Sequence, residues 1–378
     1  MAALKKVTIL QRRLTHYRIP LFELLREDLE KAGIELQLVY GQPNPDEEGK
    51  NDSGYLAWAK QVRNHYWRVG KKYLCWQPFP AEAKHSDLIV MTQENTLLSN
   101  YPMLVCRQFG GPKVAFWGHG ANLQSVSPDG MRERFKRWTT DKVDWWFGYT
   151  QMSVDIISRT GFARSRITNL ENAIDTFTLA ADLNSIQAGE LNNLSEQLGW
   201  GNCWVGIFLG SLHADKRLSF LFEAADQLHA QDPSFCFLIV GDGPLRDFTK
   251  SYADARPWCA WVGAKIGRDK ARYLALADIM INPGLVGLGI LDSFVSGVPM
   301  VTTDCGIHSP EISYLKSRQN GIITSNNVDE FVCGVRNVLC NAELYRGLRE
   351  GCKRSAVIYT VDKMSKSFSE GIARALSA

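Results

Sequence analysis

Long apolar runs are missing from this sequence of 378 residues. No stretch reaches the roughly 20 consecutive apolar residues of a membrane-spanning helix, so any bilayer contact is expected to be peripheral. A secretory leader is also not expected. Lys5-Lys6 runs into only the four residues Val7 to Leu10 before Gln11-Arg12-Arg13, too few for a signal peptide's apolar segment. The nine cysteines are odd in number and scattered singly, with no Cys-x-x-Cys pair. They read as reduced thiols in a cytoplasmic protein, which excludes a disulfide framework or a structural zinc site. The histidines (His16, His65, His85, His119, His213, His229 and His308) are isolated and no Asp-x-Asp follows a predicted strand, so neither a metal nor another cofactor is expected. Strong basic clustering is lacking as well. A net charge of +3 suits an anionic ligand or a membrane surface, and falls short of what nucleic-acid binding demands.

What is present is an ordinary globular composition, 45% hydrophobic and 22% charged, in a chain longer than one core usually supports. Short β-branched runs alternate with helical patterns, the mark of parallel sheets covered by helices on both faces. Predicted strands in the first half are Val7 to Leu10, Glu35 to Tyr40, Leu88 to Thr92, Val114 to Trp117 and Trp145 to Tyr149. Those in the second half are Trp204 to Leu209, Phe235 to Val240, Ala260 to Val262, Ile279 to Asn282 and Met300 to Thr303. The expected fold class is α/β, with two tandem Rossmann-like, doubly wound domains and an inter-domain cleft. The expected boundaries are 1–178, a polar inter-domain region 179–201, 202–360, and a closing helix 361–378 able to pack back on the first domain.

Ligands of doubly wound sheets bind at the carboxyl ends of the strands, and the glycine-rich turns of this chain fall there. Gly118-His119-Gly120, Gly210 to Arg217, Gly241 to Pro244, Gly263 and Asn282-Pro283-Gly284 each follow a predicted strand. A single such glycine is most often only a tight turn. The densest segment, Ile281 to Pro299, joins a strand end, a turn with Gly284, Gly287 and Gly289, and a helix with Asp292 in its first turn. Such a turn lets backbone N–H groups approach an anion at a helix N-terminus. A carboxylate at Asp292 is placed for sugar hydroxyls, so a diphosphate-linked sugar fits both halves.

Gly210 to Arg217, Val240-Gly241-Asp242-Gly243-Pro244, Ala277-Asp278 and Asp292 through Gly297-Val298-Pro299 resemble retaining family 4 type glycosyltransferases of the GT-B fold. Asn172-Ala173-Ile174-Asp175, His308 to Ile312 and Asn320-Gly321 are similar to further elements of that family. The resemblance is strongest over about residues 165–325. It implies an enzyme using a nucleotide-sugar donor (UDP-sugar first, GDP-sugar second) and a glycan or lipid-linked glycan acceptor. It also implies metal-independent same-face displacement, in which the leaving diphosphate takes the acceptor proton.

Carried over residue by residue, the resemblance assigns the diphosphate to Lys216 and its neighbour Arg217, and to the backbone N–H groups of Leu285, Val286, Gly287 and Leu288. Val262 and Gly263 join the donor site. Asp292 stands for the second acid of the Glu, seven residues, Glu motif, on the ribose diol. Two departures are plain: Gly284 replaces the first acid, which would contact donor-sugar hydroxyls, and Ser211 replaces the family's arginine. His119 is expected near the reacting centre. Arg13, Tyr17 and Arg18, in the loop after the first strand, are candidates for acceptor or diphosphate binding; the plain alternative is that Tyr17 and Arg18 only begin a helix. Met131 to Trp138 mixes bases with aromatics at helical spacing, as a helix on an anionic membrane would, although many such helices are simply solvated on one face. A non-catalytic nucleotide-sugar-binding or scaffold protein, and a nucleotide-sugar epimerase, are the alternatives. The epimerase is disfavoured by the lack of a carboxylate cluster. A dinucleotide oxidoreductase is disfavoured because Gln11-Arg12-Arg13 stands where Gly-x-Gly-x-x-Gly would be.

Overall fold

The computed structural model describes residues 4–47, 52–70, 72–120 and 138–378. The chain divides into two compact units, Met1–Ile174 with Val361–Ala378, and Asp175–Thr360. The segment Met131 to Trp138, expected to form a basic aromatic helix, lies outside the described residues except for Trp138.

In the first unit, strands β1 (Lys5–Gln11), β2 (Ile34–Tyr40) and β3 (Lys60–Gln61) lie on one side of the sheet. A separate hairpin, β4 (His65–Val69) and β5 (Lys72–Trp76), precedes β6 (Leu88–Thr92), β7 (Lys113–Gly118), β8 (Trp145–Gly148) and β9 (Ile167–Asn169). The main sheet runs in the order β3-β2-β1-β6-β7-β8-β9 and every pairing in it is parallel. Its central strands are near-continuous apolar runs because helices cover both faces; Ile89, Met91, Val114, Phe116 and Trp146 meet Val154 and Ile157 in one core.

The second unit holds β10 (Trp204–Leu209), β11 (Phe235–Val240), β12 (Cys259–Trp261), β13 (Ile279–Ile281), β14 (Met300–Thr303) and β15 (Gly321–Thr324). The order is β12-β11-β10-β13-β14-β15, again all parallel. Phe208, Phe237, Ile279, Ile281 and Val301 pack against Leu221 and Phe222 of the helix Leu218–Gln231, and against Phe331 and Val335 of the helix Val328–Cys340.

Ten predicted strands are present. Those at Leu88, Trp204, Phe235 and Met300 have the expected ends, and the rest differ by one or two residues. The polar stretch 179–201, expected to join the domains, is instead helical (Phe177–Ser185 and Ala188–Gln197) and belongs to the second unit. Leu179 and Leu194 are buried there, and Arg268 holds Glu190 in a two-pronged ion pair at 2.8 Å. The closing helix Val361–Ser377 is part of the first unit, so that unit is discontinuous in sequence.

Candidate functional site

In the second sheet the chain steps outward from β10 in one direction and from β13 in the other. The carboxyl ends of β10 and β13 therefore flank the switch point where doubly wound sheets bind ligands. The loop after β10 forms a single turn of 3₁₀ helix, Ala214–Lys216, then Arg217 in the left-handed conformation with φ 56°. That loop is stapled to the loop after β13. The Leu285 N–H donates to the Asp215 carbonyl at 2.9 Å, and Lys216 Nζ donates to the Leu285 carbonyl at 2.5 Å.

The contact is so close that Gly284 has no room for a side chain. A Cβ there would lie 2.4 Å from the Asp215 carbonyl oxygen and 2.5 Å from the Lys216 carbonyl carbon. The missing first acid therefore has a steric cause: backbone occupies the place where its side chain would begin.

A second clasp comes from the loop after β14. The Val286 N–H donates to His308 Nδ1 at 3.1 Å, the Ser309 N–H donates to the Val286 carbonyl at 3.0 Å, and His308 Nε2–H donates to the Thr303 carbonyl at 2.6 Å. Of the four amides expected to meet a ligand, Leu285 and Val286 are thus spent inside the protein. Those of Gly287 and Leu288 have no acceptor among the described residues. They precede the helix Gly289–Ser296, whose N-terminus adds its partial positive charge.

Lys216 is half-buried; burial lowers its pKa, and the nearby Asp215 and Cys305 only partly oppose this. Arg217 is committed to the protein. Its Nη1 donates to the Pro283 carbonyl at 3.1 Å, to Thr303 Oγ1 at 3.3 Å and to Asn326 Oδ1 at 2.5 Å. It ties three strand ends together, and its guanidinium lies over Phe220. Ser211 is exposed at the mouth of the same loop. Asp292 is buried in the first turn of its helix, and its Oδ1 accepts from Lys270 Nζ at 2.9 Å. Lys270 was not singled out by sequence reasoning; as one polar residue of the helix Gly267–Leu276 it looks like any solvated lysine. Val262 and Gly263 lie at the end of β12, the outer strand beyond β11. The Gly263 carbonyl accepts from the Gly241 N–H at 2.9 Å.

Cys305 was likewise missed. Burial pushes its thiol up, but hydrogen bonds with His308 and the Ile307 amide outweigh burial and bring it down to about 7. A Cys-x-x-His spacing was the available signal.

In the first unit the expected residues separate. Arg13 is fully engaged by Asp52, with two bonds of 2.6 and 2.9 Å. Tyr17 is partly exposed beside Arg18. Arg18 is buried, 7% exposed, where the helix Ile19–Lys31 begins. Its guanidinium lies over the rings of Trp117 and Tyr149, and its polar contacts are the Ala173 carbonyl at 3.5 Å and the Met364 sulfur at 3.7 Å. His119 sits edge-on to the same Tyr149 ring, 4.5 Å between centroids. Arg18, Tyr149 and His119 thus form one cluster at the carboxyl ends of β1, β7 and β8, where a buried cation is held by rings and, among the described residues, by no carboxylate. Among the described residues no three His, Cys, Asp or Glu side chains converge as a metal site, and no helix is long and apolar enough to cross a membrane.

Comparison with known proteins places this geometry. Residues 205–341, which contain the loops after β10, β13 and β14, match the family model described as Glycosyl transferases group 1. Alpha-monoglucosyldiacylglycerol synthase of Acholeplasma laidlawii is 21% identical over 190 residues, 48% of this chain and 47% of that protein. The chain thus spans about half the length of that curated relative. HepE of Anabaena in complex with UDP superposes with a TM-score of 0.70 at 14% identity, over 98% of this chain and 100% of that one. Sucrose-phosphate synthase of Thermosynechococcus elongatus does so with 0.68 at 13% identity, over 98% of each. The fold is GT-B, and the second unit carries a glycosyl transferases group 1 domain.

Proposed function

We propose that the chain is a retaining glycosyltransferase that moves a sugar from a nucleotide-diphosphate sugar, a UDP-sugar first, to a glycan or lipid-linked glycan. The observation that carries this reading is the pair of unspent amides, Gly287 and Leu288, at a helix N-terminus opening beside Lys216. Fixed N–H dipoles and a half-buried ammonium suit a diphosphate, and they stabilise it most as it departs. The bond from the anomeric carbon to the diphosphate breaks with its electron pair going to the diphosphate oxygen. The acceptor hydroxyl bonds to the same face of that carbon, and its proton passes to the departing diphosphate. Asp292 holds the ribose through the oxygen that Lys270 leaves unused, and Arg217 supports the site by fixing the Pro283 turn. Arg18 and Tyr17 are assigned to acceptor recognition in the first unit, and His119 keeps its assignment near the reacting centre. The names of the relatives support the donor and acceptor classes: UDP is bound in the HepE structure, and the Acholeplasma protein is named for a glucosylated diacylglycerol.

The test is a thermal-shift screen of UDP, GDP and their sugars, since a ligand binding only the folded state raises its melting temperature. UDP is expected to give a shift that Lys216→Ala abolishes. An unchanged shift in the variant would remove Lys216 from the site. Turnover with the donor so identified is expected to continue in excess chelator and to give a product with the donor's anomeric configuration. Saturable binding with no turnover across an acceptor panel would favour a non-catalytic binding protein.

A further inference from the structure

The hairpin β4–β5 stands apart from the main sheet, and its two faces differ. Pairing sets His65 opposite Trp76, Trp67 opposite Leu74 and Val69 opposite Lys72 on one face. Tyr66, Cys75, Arg68 and Tyr73 share the other. That second face is tied to the body of the unit. Tyr66 Oη donates to the Gln42 carbonyl at 2.7 Å, the Cys75 N–H donates to the Thr96 carbonyl at 2.8 Å, and the Leu98 N–H donates to the Cys75 carbonyl at 2.8 Å. The first face is bare, with Trp67 51% exposed, Val69 60% and Trp76 38%, and His65 and Lys72 exposed at its ends.

Charge surrounds this face on one side of the ledger only. From Ser53 to Ala81 the sequence has the basic residues Lys60, Arg63, Arg68, Lys71 and Lys72 and no Asp or Glu. Arg63 and Lys72 are exposed and have no carboxylate partner among the described residues, whereas Arg68, on the tied face, lies over Tyr73. A soluble protein normally intersperses both signs and hides such rings. Tryptophan prefers the boundary between hydrocarbon and headgroups, and unpaired cations gain from an anionic leaflet. The aliphatic Val69 and Leu74 beside the rings suit acyl chains, whereas a sugar polymer would use the rings alone.

We propose that the outer face of the β4–β5 hairpin docks the protein on an anionic phospholipid bilayer, with Trp67, Val69, Leu74 and Trp76 at the acyl boundary and Arg63 and Lys72 on the headgroups. This surface does not depend on the transferase reading, because vesicle binding is measured without donor or acceptor. The test is flotation of the full-length protein with vesicles of phosphatidylcholine alone, and of phosphatidylcholine with about one-third phosphatidylglycerol. The protein floats with the anionic vesicles only, and salt releases it. Each cation near such a surface is worth about fivefold in binding, so Arg63→Gln with Lys72→Gln lowers the partition by about 25-fold. Trp67→Ala with Trp76→Ala lowers it by about tenfold or more. Circular dichroism and the UDP thermal shift establish that both variants are folded. Vesicle binding unchanged in both variants, equal binding to neutral vesicles, or binding to a soluble anionic polysaccharide in place of vesicles would each overturn the proposal.

Discussion

Lys216 and Gly284 act as a pair, because the turn that places the ammonium fills the space where a side chain at 284 would begin. Gly284→Ala would set a Cβ 2.4 Å from the Asp215 carbonyl oxygen, and overpacking of this kind costs about 1–3 kcal/mol. Gly284→Glu, which restores the family's acid, should destabilise at least as much and gain no affinity for the donor sugar. Thermal melts and donor titrations check both, and a glutamate variant as stable as the parent would show that the turn yields. The second prediction concerns pH. Burial lowers the Lys216 pKa from its ordinary value of 10.5, so the ammonium is lost at a lower pH than usual on the alkaline side. UDP affinity measured by calorimetry from about pH 7.5 to about pH 10 should fall with rising pH. Titration of the uracil ring is common to both proteins, so the difference between this profile and that of Lys216→Ala isolates the lysine. Parallel profiles would remove it from the diphosphate.

At the scale of elements, the loop after β2 clamps the end of β1. Arg12 makes two bonds to Glu47, at 2.6 and 2.8 Å, with Glu94 at 3.4 Å. Burial pushes the Glu47 carboxyl up, but Arg12 outweighs it and holds it at about 2. A carboxyl depressed in the folded state stabilises above its ordinary value of 4.5, and that contribution, on the order of 3 kcal/mol, is lost as pH falls toward about 2. Acid titration of stability should therefore be shallower in Glu47→Gln, and an identical slope would show that the clamp opens before it protonates. Much of this architecture was legible in the sequence, because buried parallel strands such as Phe235–Val240 are unbroken apolar runs ending in glycine. The hairpin was not, since β4 has almost no buried positions and so lacks the alternation that marks a half-buried strand. The loops after β10 and β13 were legible for the same reason as the strands they follow. What those loops do to one another was not. The commitment of Arg217 to Pro283, Thr303 and Asn326, and the pairing of Lys270 with Asp292, depend on strands far apart in sequence becoming neighbours.

For the whole molecule, the consequential feature is that the first unit is completed by the last helix, 361–377, after the chain has built the second. The reason lies in one face of that helix. Met364, Phe368 and Ile372 are fully buried, and the Phe368 ring lies 5.0 Å from Trp117 of β7 and 4.5 Å from Phe147 of β8. Gly371 lets the helix approach β9 so closely that a Cβ would come 2.5 Å from Thr168 Oγ1. Lys113 Nζ satisfies the final carbonyls of Ala375 and Leu376 at 3.1 Å each. Ser365 Oγ donates to Asp28 at 2.7 Å on the helix Ile19–Lys31, which begins at Arg18. The closing helix therefore backs the strands whose carboxyl ends carry Trp117, His119 and Tyr149. Phe368→Ala should cost about 3–5 kcal/mol, as large cavities beside aromatic rings do. Hydrogen exchange is the measurement: amides of β7 and β8 should lose protection by a corresponding factor, because opening of this core governs their exchange. Unchanged protection at those strands would mean that the helix only covers the sheet and does not hold it, and that the Arg18, Tyr149 and His119 cluster keeps its shape without it.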